Sequence, residues 1–309
     1  CRSDDAALAA FERAIAARRR DALGWLGRGI RRYAESRIDL ALSDLAEAIR
    51  LEPDLAESHH VRAQIRSAQG DAVRALADFD AAIACDPGDA VILNGRGYER
   101  SALEDFRGAL ADYDAAIRAA ADFAQPWLNR GIAHERLEDP RAAEVDYGEA
   151  IERDPRLAWA WRNRGVLEML SGRLEPALRD LDEAVRLDGD VADFHVMRAD
   201  ARRRAGDPTG ATRDLDRAIE LDRDAPVGWA ERSMARAEAG DLPGAIADLG
   251  EAIRRDPHPM GYFNRARLLA QIGERDAALE DVRAALQRMA PADPYRTEAE
   301  ALERELAGR

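Results

Sequence analysis

Residues 158–191 read AWAWRNRGVLEMLSGRLEPALRDLDEAVRLDGDV, and this stretch decides the fold. Trp161, Gly165 and Glu168 fall at i, i+4 and i+7, the spacing of one helix face. Gly172 ends that helix, and Ala177, Leu181 and Ala184 repeat the spacing on a second one. The unit recurs eight times at a 34-residue period, starting at Ala22, Ala56, Ala90, Ala124, Ala158, Ala192, Pro226 and Pro259; the seventh copy is one residue short. A repeat array escapes the two-domain expectation for 309 residues, because each unit packs on its neighbours.

Aligning the copies shows which positions carry the packing. Position 4 is large (Trp25, His59, Leu93, Trp127, Trp161, His195, Trp229, Tyr262), and position 8 is small throughout. Positions 20 and 27 are alanine in all eight units, from Ala41 to Ala278 and from Ala48 to Ala285. Positions 4, 8 and 11 form one stripe, and 20, 24 and 27 form another on the second helix. Small residues let the backbones approach, and large ones fill the gaps. Asp139-Pro140 and Asp207-Pro208 start second helices, while Pro53, Pro87, Pro155 and Pro257 follow their ends.

Composition narrows the function classes. Asp and Glu number 60 against 46 basic residues, all arginine, for a net charge of -14. Such a surface repels phosphate backbones, so no nucleic-acid partner is expected. The absence of lysine reads as the coding bias of a GC-rich bacterial genome. Two cysteines, Cys1 and Cys85, are too few for a disulfide framework or a zinc site, and Cys85 reads as a buried small residue. No apolar run reaches the ~20 residues of a membrane span.

This 34-residue helix–turn–helix unit resembles the tetratricopeptide repeat, whose signature is W-x2-L-G-x2-Y, then A-x3-F, then P. The resemblance covers nearly the whole chain. It implies an all-α fold, a right-handed α-solenoid of about eight helix–turn–helix repeats over residues 22–290. Residues 1–21 read as a partial repeat, the second helix only, with Asp4 and Asp5 as caps and Ala7, Phe11 and Ala14 as its stripe. Residues 291–309 read as a C-terminal capping helix, started by Asp293-Pro294 and striped by Tyr295, Ala299, Leu302 and Leu306.

One departure from the family pattern recurs. Position 7 is arginine in every unit: Arg28, Arg62, Arg96, Arg130, Arg164, Arg198, Arg232 and Arg265. Position 23 is aspartate in every unit: Asp44, Asp78, Asp112, Asp146, Asp180, Asp214, Asp248 and Asp281. Their co-occurrence on antiparallel helices predicts a structural ladder of bidentate ion pairs, closed either within a repeat or across to a neighbour. Groove residues should vary along an array, whereas these do not.

Chemistry beyond binding finds little support. His59 and His195 occupy the packing position 4, and His134 sits at position 11. No H-E-x-x-H, G-x-S-x-G or phosphate-loop motif occurs. No catalytic residue, metal or cofactor is expected.

The resemblance implies that first helices line a concave groove, with binding residues at positions 2, 5, 6, 9, 12 and 13. Carried over, these are Leu26, Ile30, Tyr33, His60, Gln64, Asn94, Tyr98, Leu128, Asn129 and Ile132. They continue as Trp159, Arg162, Asn163, Val166, Met169, Val196, Arg203, Arg204, Met234, Phe263 and Arg267. The family's lysine-rich clamp for C-terminal carboxylates is absent. The expected function is a non-catalytic scaffold binding a protein or peptide partner in the groove. The alternatives are a self-associating array, or the regulatory segment of a longer protein whose catalytic part precedes residue 1. The expected location is cytoplasmic; the alternative is an exported chain anchored by lipid on Cys1.

Overall fold

The computed structural model describes residues 11–13, 15–16 and 21–308. Cys1, Asp4, Asp5, Ala7 and Ala14, which carry the expectations for a lipid anchor and a leading half-repeat, lie outside the described residues. Phe11 and Ile15 are described as helical, and Ile15 is buried.

The chain divides into two compact units, residues 1–157 and 158–309. The first holds α1 (Ala22–Ala34), α2 (Ile38–Leu51), α3 (Ala56–Ala68), α4 (Ala72–Cys85), α5 (Ala90–Ala102), α6 (Phe106–Ala119), α7 (Ala124–Arg136) and α8 (Pro140–Arg153). The second holds α9 (Ala158–Leu170), α10 (Leu174–Leu187), α11 (Ala192–Arg204), α12 (Pro208–Leu221), α13 (Pro226–Glu238), α14 (Leu242–Arg255), α15 (Pro259–Gln271), α16 (Arg275–Arg288) and α17 (Arg296–Ala307). Odd-numbered helices α1 to α15 are the first helices of the eight repeats, and even-numbered ones are the second. Within each unit a helix packs on its hairpin partner and on the first helix of the next repeat.

The turn inside each repeat has one geometry. Its middle residue is left-handed in all eight copies: Gly70, Gly172, Gly206, Gly240 and Gly273, but also Ser36, Glu104 and Glu138, with φ of 59°, 63° and 60°. At the next position, aspartates cap the second helix in five repeats; Asp71, for example, accepts from the Arg74 amide at 3.2 Å.

The core follows the small-large alternation. The alanines at position 20 are fully buried, and position 24 contributes Leu45, Phe79, Tyr113, Tyr147, Leu181, Leu215, Leu249 and Val282, all at most 3% exposed. Volumes match across the hairpin. Where position 24 is tyrosine, position 8 is glycine, and a Cβ on Gly97 or Gly131 would stand 2.6 Å from a ring carbon of Tyr113 or Tyr147. Tyr113 is held protonated by burial, its pKa pushed up to about 12.

The terminal helix α17 covers the last hairpin, with Ala299 and Leu306 buried among Val282, Ala285 and Met289. Two expectations need correcting here. Tyr295 is 45% exposed because it is the helix's N-cap residue, outside the buried stripe. Asp293 caps no helix amide; it accepts from the Tyr295 amide in the preceding turn at 2.9 Å. Cys85 also differs from expectation. It is half-buried at the end of α4, its thiol donating to the Pro53 carbonyl at 3.7 Å.

Candidate functional site

The arginine-aspartate ladder forms in all eight repeats, and each pair closes within its own repeat. Nε and Nη2 of the position-7 arginine donate to the two oxygens of the position-23 aspartate, at 2.5–3.0 Å. The aspartates are nearly buried, and the arginines are covered on most of their length. The ladder is wider than the sequence pattern indicates. Position 11 supplies a second arginine to the same carboxylate: Arg32, Arg66, Arg100, Arg202 and Arg236 reach it at 2.7–2.9 Å. Four position-7 arginines also reach back to the preceding repeat, Arg96 to Asp80, Arg130 to Asp114, Arg198 to Asp182 and Arg232 to Asp216, at 2.6–2.9 Å. Burial alone would raise the Asp214 pKa, but His195, Arg198 and Arg202 outweigh it and hold the group below the ordinary carboxylate value.

Position 4 is bracketed by the same arginines. Trp127 lies between Arg130 and Arg153, at 4.7 and 4.3 Å from its ring centroid, and Trp229 lies between Arg232 and Arg255. The indole of Trp127 and Nε of Arg153 donate to one carbonyl, that of Ala121; Trp229 and Arg255 share the carbonyl of Arg223. Where histidine replaces tryptophan, the bond persists: His59 Nε2 to the Pro53 carbonyl at 2.9 Å, His195 Nε2 to that of Gly189 at 3.0 Å. His134 stands 3.7 Å from Asp146 in place of a position-11 arginine. These groups are spent on holding repeats together.

The variable residues on the first helices separate into two sets. Leu26, Leu128, Met169, Val196 and Phe263 are 2–4% exposed and Asn163 is 8% exposed, which corrects their placement on an open groove. Apolar side chains at position 5 turn into the seam between neighbouring repeats, where burial is favourable; Leu26 packs with Ile65 of the next first helix. Position 9 is the open row. In the first unit it presents Ile30, Gln64, Tyr98 and Ile132, with Tyr98 58% exposed. In the second it presents Val166, Asp200, Met234 and Arg267.

Beside that row in the first unit is a hollow of about 560 Å3. Tyr33, His60, Gln64, Asn94, Tyr98 and Asn129 line it, together with Val91, Glu99 and Gln125, which the sequence did not single out. Its amides are already oriented. Gln125 donates to Asn129 at 3.1 Å, and Asn129 donates to Asn94 at 3.0 Å. Ser67 donates to the buried Glu99 carboxylate. His60 packs 6.0 Å from the Phe79 ring, and burial pulls its pKa below the ordinary histidine value against the carboxylates of Asp89 and Glu57. The chemistry offered is a row of exposed apolar side chains next to fixed hydrogen-bonding amides.

In the second unit Trp159 keeps one edge against Phe194, centroids 4.8 Å apart, and is 45% exposed. Most of the arginines assigned to the groove are occupied. Arg162 is bidentate to Asp193 at 2.7 and 3.1 Å, Arg203 bridges Glu238 and Asp200 at 2.6 and 2.8 Å, and Arg204 binds Asp200 at 3.1 Å. Arg267 is exposed, its guanidinium 5.9 Å above the Phe263 ring. Among the described residues no three His, Cys, Asp or Glu side chains gather to hold a metal, and no helix is long and apolar enough to cross a membrane.

Comparison with known proteins agrees with this architecture. The tetratricopeptide repeat family model matches residues 26–90, 94–158, 128–192, 163–226 and 231–294. A tetratricopeptide repeat protein from Parabacteroides merdae ATCC 43184 is 18% identical over 82% of this chain and 99% of its own, with a TM-score of 0.58. Pseudomonas aeruginosa pilF is 16% identical over 71% of this chain and 99% of its own, with a TM-score of 0.63. YrrB, described as a TPR protein with an unusual peptide-binding site, is 22% identical over 61% of this chain and 97% of its own, with a TM-score of 0.51. At these identities the likeness is one of fold. No curated protein matches the chain at a significant level. With eight helix hairpins of one geometry and a family match over most of its length, the chain belongs to the tetratricopeptide repeat family.

Proposed function

We propose that the chain is a non-catalytic docking scaffold that holds an extended peptide segment of a partner protein on its first helices. Tetratricopeptide repeat proteins are in general protein-interaction scaffolds, and a described peptide-binding site in YrrB gives this fold a precedent. The observation that carries the reading is the hollow of the first unit. Ile30, Tyr98 and Ile132 stay exposed on successive or alternate first helices beside the hydrogen-bonded amides of Gln125, Asn129 and Asn94. Exposed aromatic and aliphatic side chains give a peptide area to bury, while oriented amides pair with its backbone. The ladder arginines take no part, because their hydrogen bonds are already made within the array, and Trp127 and Trp229 are likewise held by carbonyls of the preceding loops.

The test is a selection of random peptides on the full chain, repeated on Tyr98→Ala and Asn94→Ala. Truncating a central aromatic anchor costs about 2 kcal/mol or more, roughly 30-fold in affinity. A consensus peptide that binds the parent and loses about that factor on Tyr98→Ala supports the reading. Enrichment of no peptide by a fully folded chain overturns it, and a size that rises with concentration would then turn attention to self-association.

A further inference from the structure

The seventh repeat is the short one, and the missing residue comes out of a connector. In the second unit the segments leading to the other first helices run over four residues, as in 188–191 and 222–225; between α14 and α15 there are three, Asp256, Pro257 and His258. The first helices α13 and α15 also touch each other less than the other neighbouring first helices of the unit do. Between them are two adjoining hollows of about 350 and 370 Å3 that share Met234, Leu249 and Asn264. Leu249 is buried beneath them, while Met234 is 36% exposed on the wall.

The charges around this cleft are sorted by end. Arg267 borders one hollow, and Glu231 and Asp256 border the other. Among the described residues, the side chains of Arg267, Asn264 and Glu231 have no hydrogen bond or ion pair within the chain; Arg267 only overlies the Phe263 ring. Arg203 and Arg204, whose charges act on Glu231, are held by Asp200 and Glu238. An exposed guanidinium without a carboxylate, on a chain of net charge -14, is the reverse of what Arg162, Arg203 and Arg204 show.

We propose that this cleft receives a partner peptide in which an apolar residue stands between an acidic residue and a basic one. The apolar side chain sits on Leu249 and Met234, the acid meets Arg267, the base meets Glu231 and Asp256, and Asn264 pairs with the backbone between them. The proposal rests on the peptide-docking reading and names the chemistry of a second, separate binding place. No chain terminus is required, since a side-chain carboxylate satisfies Arg267 as well as a terminal one.

The test uses the full chain labelled at its methionine methyls, with Met234 and Met260 as reporters in the cleft and the His60 ring as reporter in the first unit. The probes are acetylated, amidated heptapeptides, Gly-Ser-Glu-Leu-Lys-Ser-Gly and the version with Glu and Lys exchanged. Controls carry Lys, Glu or Gln at both flanks. The expected result is movement of the Met234 and Met260 signals by at least one mixed-charge peptide, at least about tenfold tighter than by the doubly basic one. On Arg267→Glu, an exposed change that leaves the fold intact, the order inverts in favour of the doubly basic peptide. Glu231→Gln weakens the mixed-charge peptide and leaves the doubly acidic one unchanged or improved. Equal response to all flanks, or an order unaltered by Arg267→Glu, overturns the proposal. Movement at His60 alone overturns it while leaving the docking reading intact; no movement at either place by any peptide counts against both.

Discussion

At the scale of the residue, the organising unit is a carboxylate shared by two arginines. Asp112 accepts both donors of the Arg96 fork and a third bond from Arg100, while Arg96 also reaches Asp80 in the preceding repeat. Asp112 is 3% exposed at its side chain and Arg96 18%, so both are largely out of water. Removing the carboxylate leaves two guanidinium groups facing one another. Asp112→Ala should therefore destabilise the array by about 3–5 kcal/mol, the range for breaking a buried pair. Arg96→Lys keeps the charge but loses the fork, and should cost less, about 1–2 kcal/mol. Chemical denaturation of both variants checks the order; equal, negligible losses would mean that these pairs behave as surface ones. The pairing of positions 7 and 23 was legible in the sequence because it recurs without exception. The position-11 arginines were harder to see, because a residue four places on shares the same helix face and was read as part of the packing stripe. The pairs Arg162–Asp193 and Arg203–Glu238 were not legible at all. Their partners lie 31 and 35 residues away, across a repeat boundary, at positions with no common residue type.

At the scale of the element, the eight hairpins share one turn but not one residue to make it. Five copies put glycine at the left-handed position; Ser36, Glu104 and Glu138 adopt the same conformation with a Cβ. A side chain there costs about 1–2 kcal/mol relative to glycine, partly offset by the greater freedom glycine has when unfolded. Glu138→Gly should thus raise stability by about 0.5–1 kcal/mol, and Gly206→Ala should lower it by a similar amount or somewhat more. Thermal melts of the two variants should move in opposite directions; the same direction for both would mean that the turn geometry does not set its own preference. Element boundaries were legible for the same reason that this prediction is possible: capping aspartates, glycines and prolines recur at fixed places. The open face was less legible. Position 5 was assigned to the groove as a class, yet its apolar members Leu26, Leu128, Val196 and Phe263 are buried, while its polar members His60 and Asn94 line the hollow. Side-chain polarity decided, position by position, which way that edge of the helix faces.

At the scale of the molecule, part of the arginine complement is drawn inside to meet the buried ladder aspartates, and the carboxylates in excess lie mostly outside. The net charge of -14 is the excess of 60 carboxylates over 46 arginines, and many of those arginines lie in the ladder or against aromatic rings. Among the described residues, exposed arginines without an ion pair also occur elsewhere, as at Arg118, Arg179 and Arg213; Arg267 is set apart by bordering an apolar hollow beside Met234 and Leu268. The same architecture makes energetics local. Within each unit a hairpin contacts its neighbours in sequence, so a strain placed in one repeat is felt there first and then by its flanking interfaces. Gly97→Ala is a suitable probe, since the added methyl would stand 2.6 Å from the Tyr113 ring. Overpacking of that kind costs about 1–3 kcal/mol. Amide exchange should accelerate most in α5 and α6, less in α4 and α7, and not at all in α13 to α16. Uniform acceleration over the whole chain would instead mean that the array opens as one cooperative body, and the two groove sites could then no longer be perturbed one at a time.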